Sequence, residues 1–203
     1  MYNIEDALGI EKSTSNFIEA GIQENVKLTG VRVDTSVNGN DFIEFSFKKA
    51  NSGTATHTEW KPNKSANDTD EIFNERCKKQ YARMLQILLC FYTKEQLKEV
   101  AQPKFTGFKD LAEWVQKMLE KANIETTPLR VKFIYNDNDF ISLPRYAKYT
   151  FIEPMTITAE NSQIRVLGID KVKRSVKADV EEIIDFDSSK STANESLTND
   201  LPF

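Results

Sequence analysis

Two short stretches of this 203-residue chain interleave flat aromatic rings with cations: Trp60-Lys61-Pro62-Asn63-Lys64 and Arg145-Tyr146-Ala147-Lys148-Tyr149. Rings offer faces on which unpaired bases stack, and neighbouring cations meet phosphates, the pairing that a grip on single-stranded nucleic acid requires. Strand-like alternation supplies more cations. Arg32 lies between Val31 and Val33, Lys48 follows Phe47, and Arg130 and Lys132 alternate with Leu129, Val131 and Phe133. Successive strand side chains face opposite ways, so apolar neighbours in a core would turn Arg32, Lys48, Arg130 and Lys132 outward, along one positive face. Each residue also has a plainer reading: Trp60 as a core anchor, Tyr146 and Tyr149 packed on the body, the cations merely solvated. Phe45, Phe47 and Phe133 are assigned to the core.

Little else in the chain suits covalent or metal chemistry. His57 is the only histidine and sits among threonines on an apparent strand; seven glycines form no phosphate-cradling loop. Two cysteines and one histidine cannot complete a four-ligand zinc site. Asn136-Asp137-Asn138-Asp139 is rich in side-chain oxygens, but Ile141 falls where a calcium loop needs a ligand, which leaves a hairpin turn. Cys77 and Cys90 are thirteen apart on one predicted helix, too distant along its axis to bridge. The expectation is a non-enzyme without cofactor or metal, in a reducing, cytoplasmic setting. Residues 1–6 lack the cationic and apolar regions of a secretion signal, and no run of about 18 apolar residues suits a membrane span.

Those residues need elements to position them. Alternation predicts a strand over 26–34 with a bulge at Gly30, an Asn38-Gly39 turn, a strand over 41–49 and a third over 54–60. Asp68 with Glu71 three on predicts the start of a helix running to about 92. Thr93 with Gln96 starts a second, and a third runs from 108 to 122 with Phe108, Leu111, Val115, Met118 and Leu119 at core spacing. Strand signals resume over 129–135, break up between 140 and 158, and end in a last strand over 164–170. Three strands, helices, then further strands is the element order of the OB-fold. The expected class is mixed β with a helical insertion: an OB-fold-like five-stranded barrel, with an enlarged helical segment at about 68–123 between strands three and four.

Charge divides the chain in two. Residues 179–203 hold seven of the 31 carboxylates but only Lys190 of the 27 Lys and Arg, so residues 1–178 carry 26 bases against 24 acids. The acidic stretch is rich in Ser, Thr and Asn and closes on Asp200-Leu201-Pro202-Phe203. Its composition predicts disorder, because it cannot bury enough apolar surface to offset the entropy of ordering. A terminal ring with a carboxylate suits capture by a pocket on a partner. A basic group at Lys171, Lys173, Arg174 and Lys177 precedes it, placed either to meet phosphates or to dock these acids.

This ending resembles the C-terminal tip of bacterial single-stranded-DNA-binding proteins, an acidic run closed by Pro-Phe, and the acidic tails of their counterparts in lytic phages. The resemblance covers about ten residues closely and the last twenty-five loosely; the body shares no motif with the bacterial family. It implies sequence-independent binding of single-stranded DNA in replication, recombination or repair, in a phage or its host's cytoplasm. It also implies recruitment of replication or repair proteins through Asp200, Leu201, Pro202 and Phe203. The candidate DNA contacts are Arg32, Lys48, Trp60, Lys61, Lys64, Arg130, Lys132, Arg145, Tyr146, Lys148 and Tyr149, with self-association possible. The alternatives are a protein-interaction adaptor that binds no DNA, and a recombination mediator that anneals strands.

Overall fold

Alternation and turn chemistry build the first half of the molecule. The computed structural model describes residues 17–100 and 104–174. β1 (Gly21–Thr35), β2 (Asp41–Lys49) and β3 (Gly53–Trp60) form an antiparallel meander, as the alternation predicts. Gly39, at φ 76°, takes the left-handed backbone of the Asn38-Gly39 turn, where a side chain would be strained. Register slips between Leu28 and Gly30, leaving Thr29 as the extra residue of a bulge; its Oγ1 donates to the Ser46 carbonyl at 3.2 Å. A second slip between Gln23 and Val26, with Asn25 at φ 58°, lets the start of β1 pair with β4 (Leu129–Tyr135) instead of β2. β1 therefore begins at Gly21, ahead of the predicted 26, because this second bulge interrupts the alternation.

The sheet order is β3-β2-β1-β4-β5, with β6 also on β4; among the described residues every strand pair is antiparallel, and one isolated parallel bridge joins Phe17 to Thr54 of β3. β5 (Ile141–Ser142) takes Ile134 and Tyr135, whereas β6 (Ile152–Pro154) takes Leu129 to Val131. The sheet is open: among the described residues no ladder joins β3 to β5. A side chain links them instead. The Leu143 N–H donates to His57 Nδ1 at 3.3 Å, so Nδ1 is an acceptor and the ring proton lies on Nε2, facing Glu59 Oε1 at 3.3 Å. Ser142 Oγ is 2.9 Å from the same Nδ1. The lone histidine is thus a buried latch between the ends of the sheet.

Among the described residues, three helices fill the interval between β3 and β4: α1 (Asp70–Leu88), α2 (Lys94–Val100) and α3 (Phe108–Glu120). The first starts one residue later than the predicted capping box. Thr69 caps it, accepting from the Ile72 N–H at 3.3 Å, while Asp68 accepts from the Ser65 N–H and from Arg76. Cys90 lies beyond its end, and both cysteines are free. The predicted Thr93–Gln96 box is present in both directions, the Thr93 N–H donating to Gln96 Oε1 at 2.8 Å and the Gln96 N–H to Thr93 Oγ1 at 3.2 Å. Thr93→Ala should therefore cost about 0.5–2 kcal/mol of local stability. Faster amide hydrogen exchange confined to 94–100 would register that loss.

The core forms where the inner sheet face meets α1 and α3. Phe45, Phe47 and Phe133 are fully buried, as expected, with Phe47 edge-on to Phe133 at 5.6 Å. α3 adds Ala112, Val115, Met118 and Leu119, and α1 adds Met84, Ile87 and Leu88. The predicted strand over 164–170 is not formed. Its backbone groups are used locally instead: the Leu167 N–H donates to Asp170 Oδ2 and the Asp170 N–H to the Leu167 carbonyl. The segment runs as an irregular strap, and beyond it the Lys171 carbonyl accepts from the Tyr135 N–H at 2.7 Å. No helix among the described residues is long and apolar enough to cross a membrane.

Candidate nucleic-acid interface

With Ile43, Phe45 and Phe47 turned into the core, β2 presents Phe42, Glu44, Ser46 and Lys48 on its other face. Register sets Trp60 of β3 beside Phe42, and Arg32 of β1 beside Glu44. The result is a row across three strands. Trp60 leans on Phe42 with ring centroids 4.9 Å apart, and the Arg32 guanidinium lies 5.2 Å over the other ring. Phe42 is covered by its neighbours, whereas Trp60 keeps 45 % of its surface exposed. Arg32 is also ion-paired with Glu44 at 3.0 Å and Asp34 at 3.4 Å.

Further along the same face, Lys48 stands directly opposite Lys27 of β1, and both are exposed. Like charges opposite each other destabilise a sheet unless an anion lies between or over them. About six strand residues separate Lys48 from Phe42, roughly 20 Å at 3.3 Å per residue. Thr54, Thr56 and Thr58 of β3 line this run with hydroxyls.

The second aromatic stretch folds onto itself. Tyr146 and Tyr149 meet edge-on at 5.5 Å, and Lys148 Nζ lies 5.7 Å over the Tyr149 ring, which is 43 % exposed. Tyr146 donates its hydroxyl to Asp170 Oδ1 at 3.0 Å; burial, then that carboxylate, pushes its phenol well above the usual range. Arg145 is exposed. Lys61 stands 3.5 Å from Asp41, and Lys64 pairs with Asp70 at 2.6 Å, so Lys64 serves the turn into α1.

Arg130 and Lys132 require correction. Alternation does place them on the non-core face of β4, but the strap after β6 covers that face. Arg130 is 4 % exposed and donates to Glu153 at 2.6 Å and Glu24 at 3.0 Å. Lys132 is fully buried, donating to Asp170 at 2.7 Å and to the Arg165 carbonyl at 2.6 Å, beneath the Tyr146 ring at 5.0 Å. Neither is available to a ligand. In the basic group that follows, Lys171 pairs with Asp139 at 2.7 Å and Arg174 lies over Tyr135; Lys177 and the candidate tail residues Asp200, Leu201, Pro202 and Phe203 lie outside the described residues.

One strip of α1 positions both aromatic stretches. Gln80, Arg83 and Gln86 share a helix face. Gln80 Nε2 donates to the Trp60 carbonyl at 2.8 Å. Arg83 reaches the Arg145 carbonyl at 2.9 Å and clamps Glu59 with two bonds of 2.6 and 2.7 Å. Gln86 donates to the Ala147 and Tyr149 carbonyls and accepts from the Phe151 N–H. Sequence reasoning missed this strip, Phe42 and Lys27. The polar residues at helical spacing were a visible signal for the strip, and strand alternation was one for Phe42. Among the described residues no cluster of three or more His, Cys, Asp or Glu is placed to hold a metal ion. Compared with known proteins, the chain matches no family model, and no curated protein is significantly similar to it.

Proposed function

We propose that this protein binds single-stranded DNA without sequence preference, through the outer face of the β1–β2–β3 meander and the 145–149 segment. The observation that carries the reading is the Arg32–Phe42–Trp60 row on the same sheet face as Lys27 and Lys48, which join no ion pair among the described residues. A half-exposed indole backed by a second ring is a platform for a base, and two facing lysines fit phosphates further along the strand. Element order, together with the latch between β3 and β5, supports a splayed OB-type barrel, a fold that binds oligonucleotides on the face of its second and third strands. The reading includes a non-enzymatic role in replication, recombination or repair, with the acidic residues 179–203 recruiting partner proteins.

Titration with oligo(dT), followed by tryptophan fluorescence, tests this. Trp60 is half-exposed and Trp114 is buried, so quenching reports on Trp60 and should vanish in Trp60→Phe. Trp60→Ala should weaken binding roughly 5- to 150-fold, the equivalent of about 1–3 kcal/mol for one stacked base. Lys48→Gln should flatten the slope of log K against log salt by about 0.7, the share of one phosphate on a single strand. No quenching and no salt dependence would favour a protein-binding adaptor instead.

A further inference from the structure

Where β3 ends, the chain passes Lys61 and Pro62 into the mouth of a cleft of about 690 Å³. Its apolar lining is largely aromatic: Phe73 and Tyr81 from α1, Phe105 from the segment that leads into α3, and Phe108 from the first turn of α3, with Leu111 beside it. Phe105 is held from two sides, edge-on to Tyr81 at 5.8 Å and tilted against Trp114 at 5.3 Å, so the ring is fixed in place. The charged lining is of one sign. Lys61, Lys78 and Lys104 stand around the cleft, and no Asp or Glu among the described residues lines it. Neither Lys78 nor Lys104 joins an ion pair among the described residues, whereas nearby Lys64, Arg76 and Lys79 each do. Gln80 lines the same cleft and holds the Trp60 carbonyl, so the cleft wall and the exposed indole form one rigid corner.

Resting on the function proposed above, we infer that this cleft is a second base-binding site on the same DNA strand. One base lies on Trp60. The strand then turns past Lys61, and an unstacked base enters the cleft among Phe73, Tyr81 and Phe105 while Lys78 and Lys104 meet the flanking phosphates. The volume suits the insertion, since clefts of about 300–1,000 Å³ accommodate small organic ligands. Continuity with Trp60 through Lys61 favours a nucleic acid strand over an acidic peptide, which would have no use for a base-stacking platform at the cleft's mouth.

Cys77 supplies the test, because its thiol lines the cleft while Cys90 is buried and serves as an internal reference. Burial raises the Cys77 thiol pKa, so alkylation of the full chain with N-ethylmaleimide is run at mildly alkaline pH and read by peptide mass spectrometry. With oligo(dT) at about 100 times its Kd, the unoccupied fraction, and with it the Cys77 labelling rate, should fall on the order of 100-fold. Lys78→Gln/Lys104→Gln, two exposed changes that leave the core alone, should keep the quenching of Trp60 but lose part of this protection. Its salt slope should flatten by about 1.4, the share of two phosphates. Quenching of Trp60 with Cys77 labelling unchanged would overturn the cleft site while leaving the proposed function standing. Absence of any oligo(dT) binding would overturn both. Slow Cys77 labelling without DNA that speeds up when residues 179–203 are deleted would assign the cleft to the chain's own acidic segment, and the inference would fall.

Discussion

Lys132→Met should lower the free energy of unfolding by about 3–5 kcal/mol, the usual result of stripping one partner from a buried ion pair. The ammonium is wholly enclosed and satisfies both Asp170 and the Arg165 carbonyl. Asp170 in turn accepts from the Tyr146 hydroxyl and the Leu167 N–H, so one lysine ties β4, the 145–149 segment and the C-terminal strap together. Methionine keeps most of the volume but leaves a carboxylate in the interior without its counter-charge. At about 2 kcal/mol per molar, the urea midpoint should drop by roughly 2 M. Lys132→Met/Asp170→Asn should recover much of the loss, because an amide keeps hydrogen-bonding capacity without a buried charge. A midpoint within error of the wild type would mean that the lysine is solvated and that the strap does not cover it. A phosphate-contacting role would then return to consideration.

Arg83→Ala is expected to cost a similar 3–5 kcal/mol and to weaken oligo(dT) binding at temperatures where the variant is still folded. Glu59 is buried on β3 beneath Trp60, bound by Arg83, Gln80 and His57. Burial alone would push its carboxyl up. The hydrogen bonds from Arg83 and His57, with the guanidinium's charge, outweigh that and hold it well below the usual carboxylate range. A depressed carboxyl contributes stability that is complete above its ordinary value of about 4.5 and is lost as pH falls from there toward the folded value. Without Arg83 that depression relaxes. The gap between wild type and variant should therefore be full at neutral pH and narrow under acid, which urea melts on either side of about 4.5 would register. A gap that stays constant with pH would show that the loss comes from packing and not from the unpaired carboxylate. Binding should suffer too, since Arg83 also holds the Arg145 carbonyl.

Local chemistry made many elements readable in advance. Asp41–Lys49 and Leu129–Tyr135 coincide with the strands that alternation predicts, and the Asn38-Gly39 turn, the bulge before Gly30 and the Thr93–Gln96 box depend only on neighbouring residues. The strand expected over 164–170 failed for the complementary reason. Its apolar residues mimic alternation, but Asp170 folds back on Leu167 and the segment answers to Lys132, thirty or more positions earlier. Barrel closure was equally out of reach, because it depends on whether two distant edges pair, and here a histidine side chain bridges them.

For the candidate site, residue order alone determined which side of each strand a cation occupies, and that Trp60, Tyr146 and Tyr149 sit among positive charges. Only the tertiary structure decided which of those sides meets water. Lys48 and Lys132 obey the same alternation, yet one stands on an uncovered face and the other lies beneath a strap. Alternation is a property of one strand's own backbone, whereas exposure depends on whatever chain passes over it. A charge covered in that way must find a buried partner, and for Lys132 that partner is Asp170, 38 positions further along.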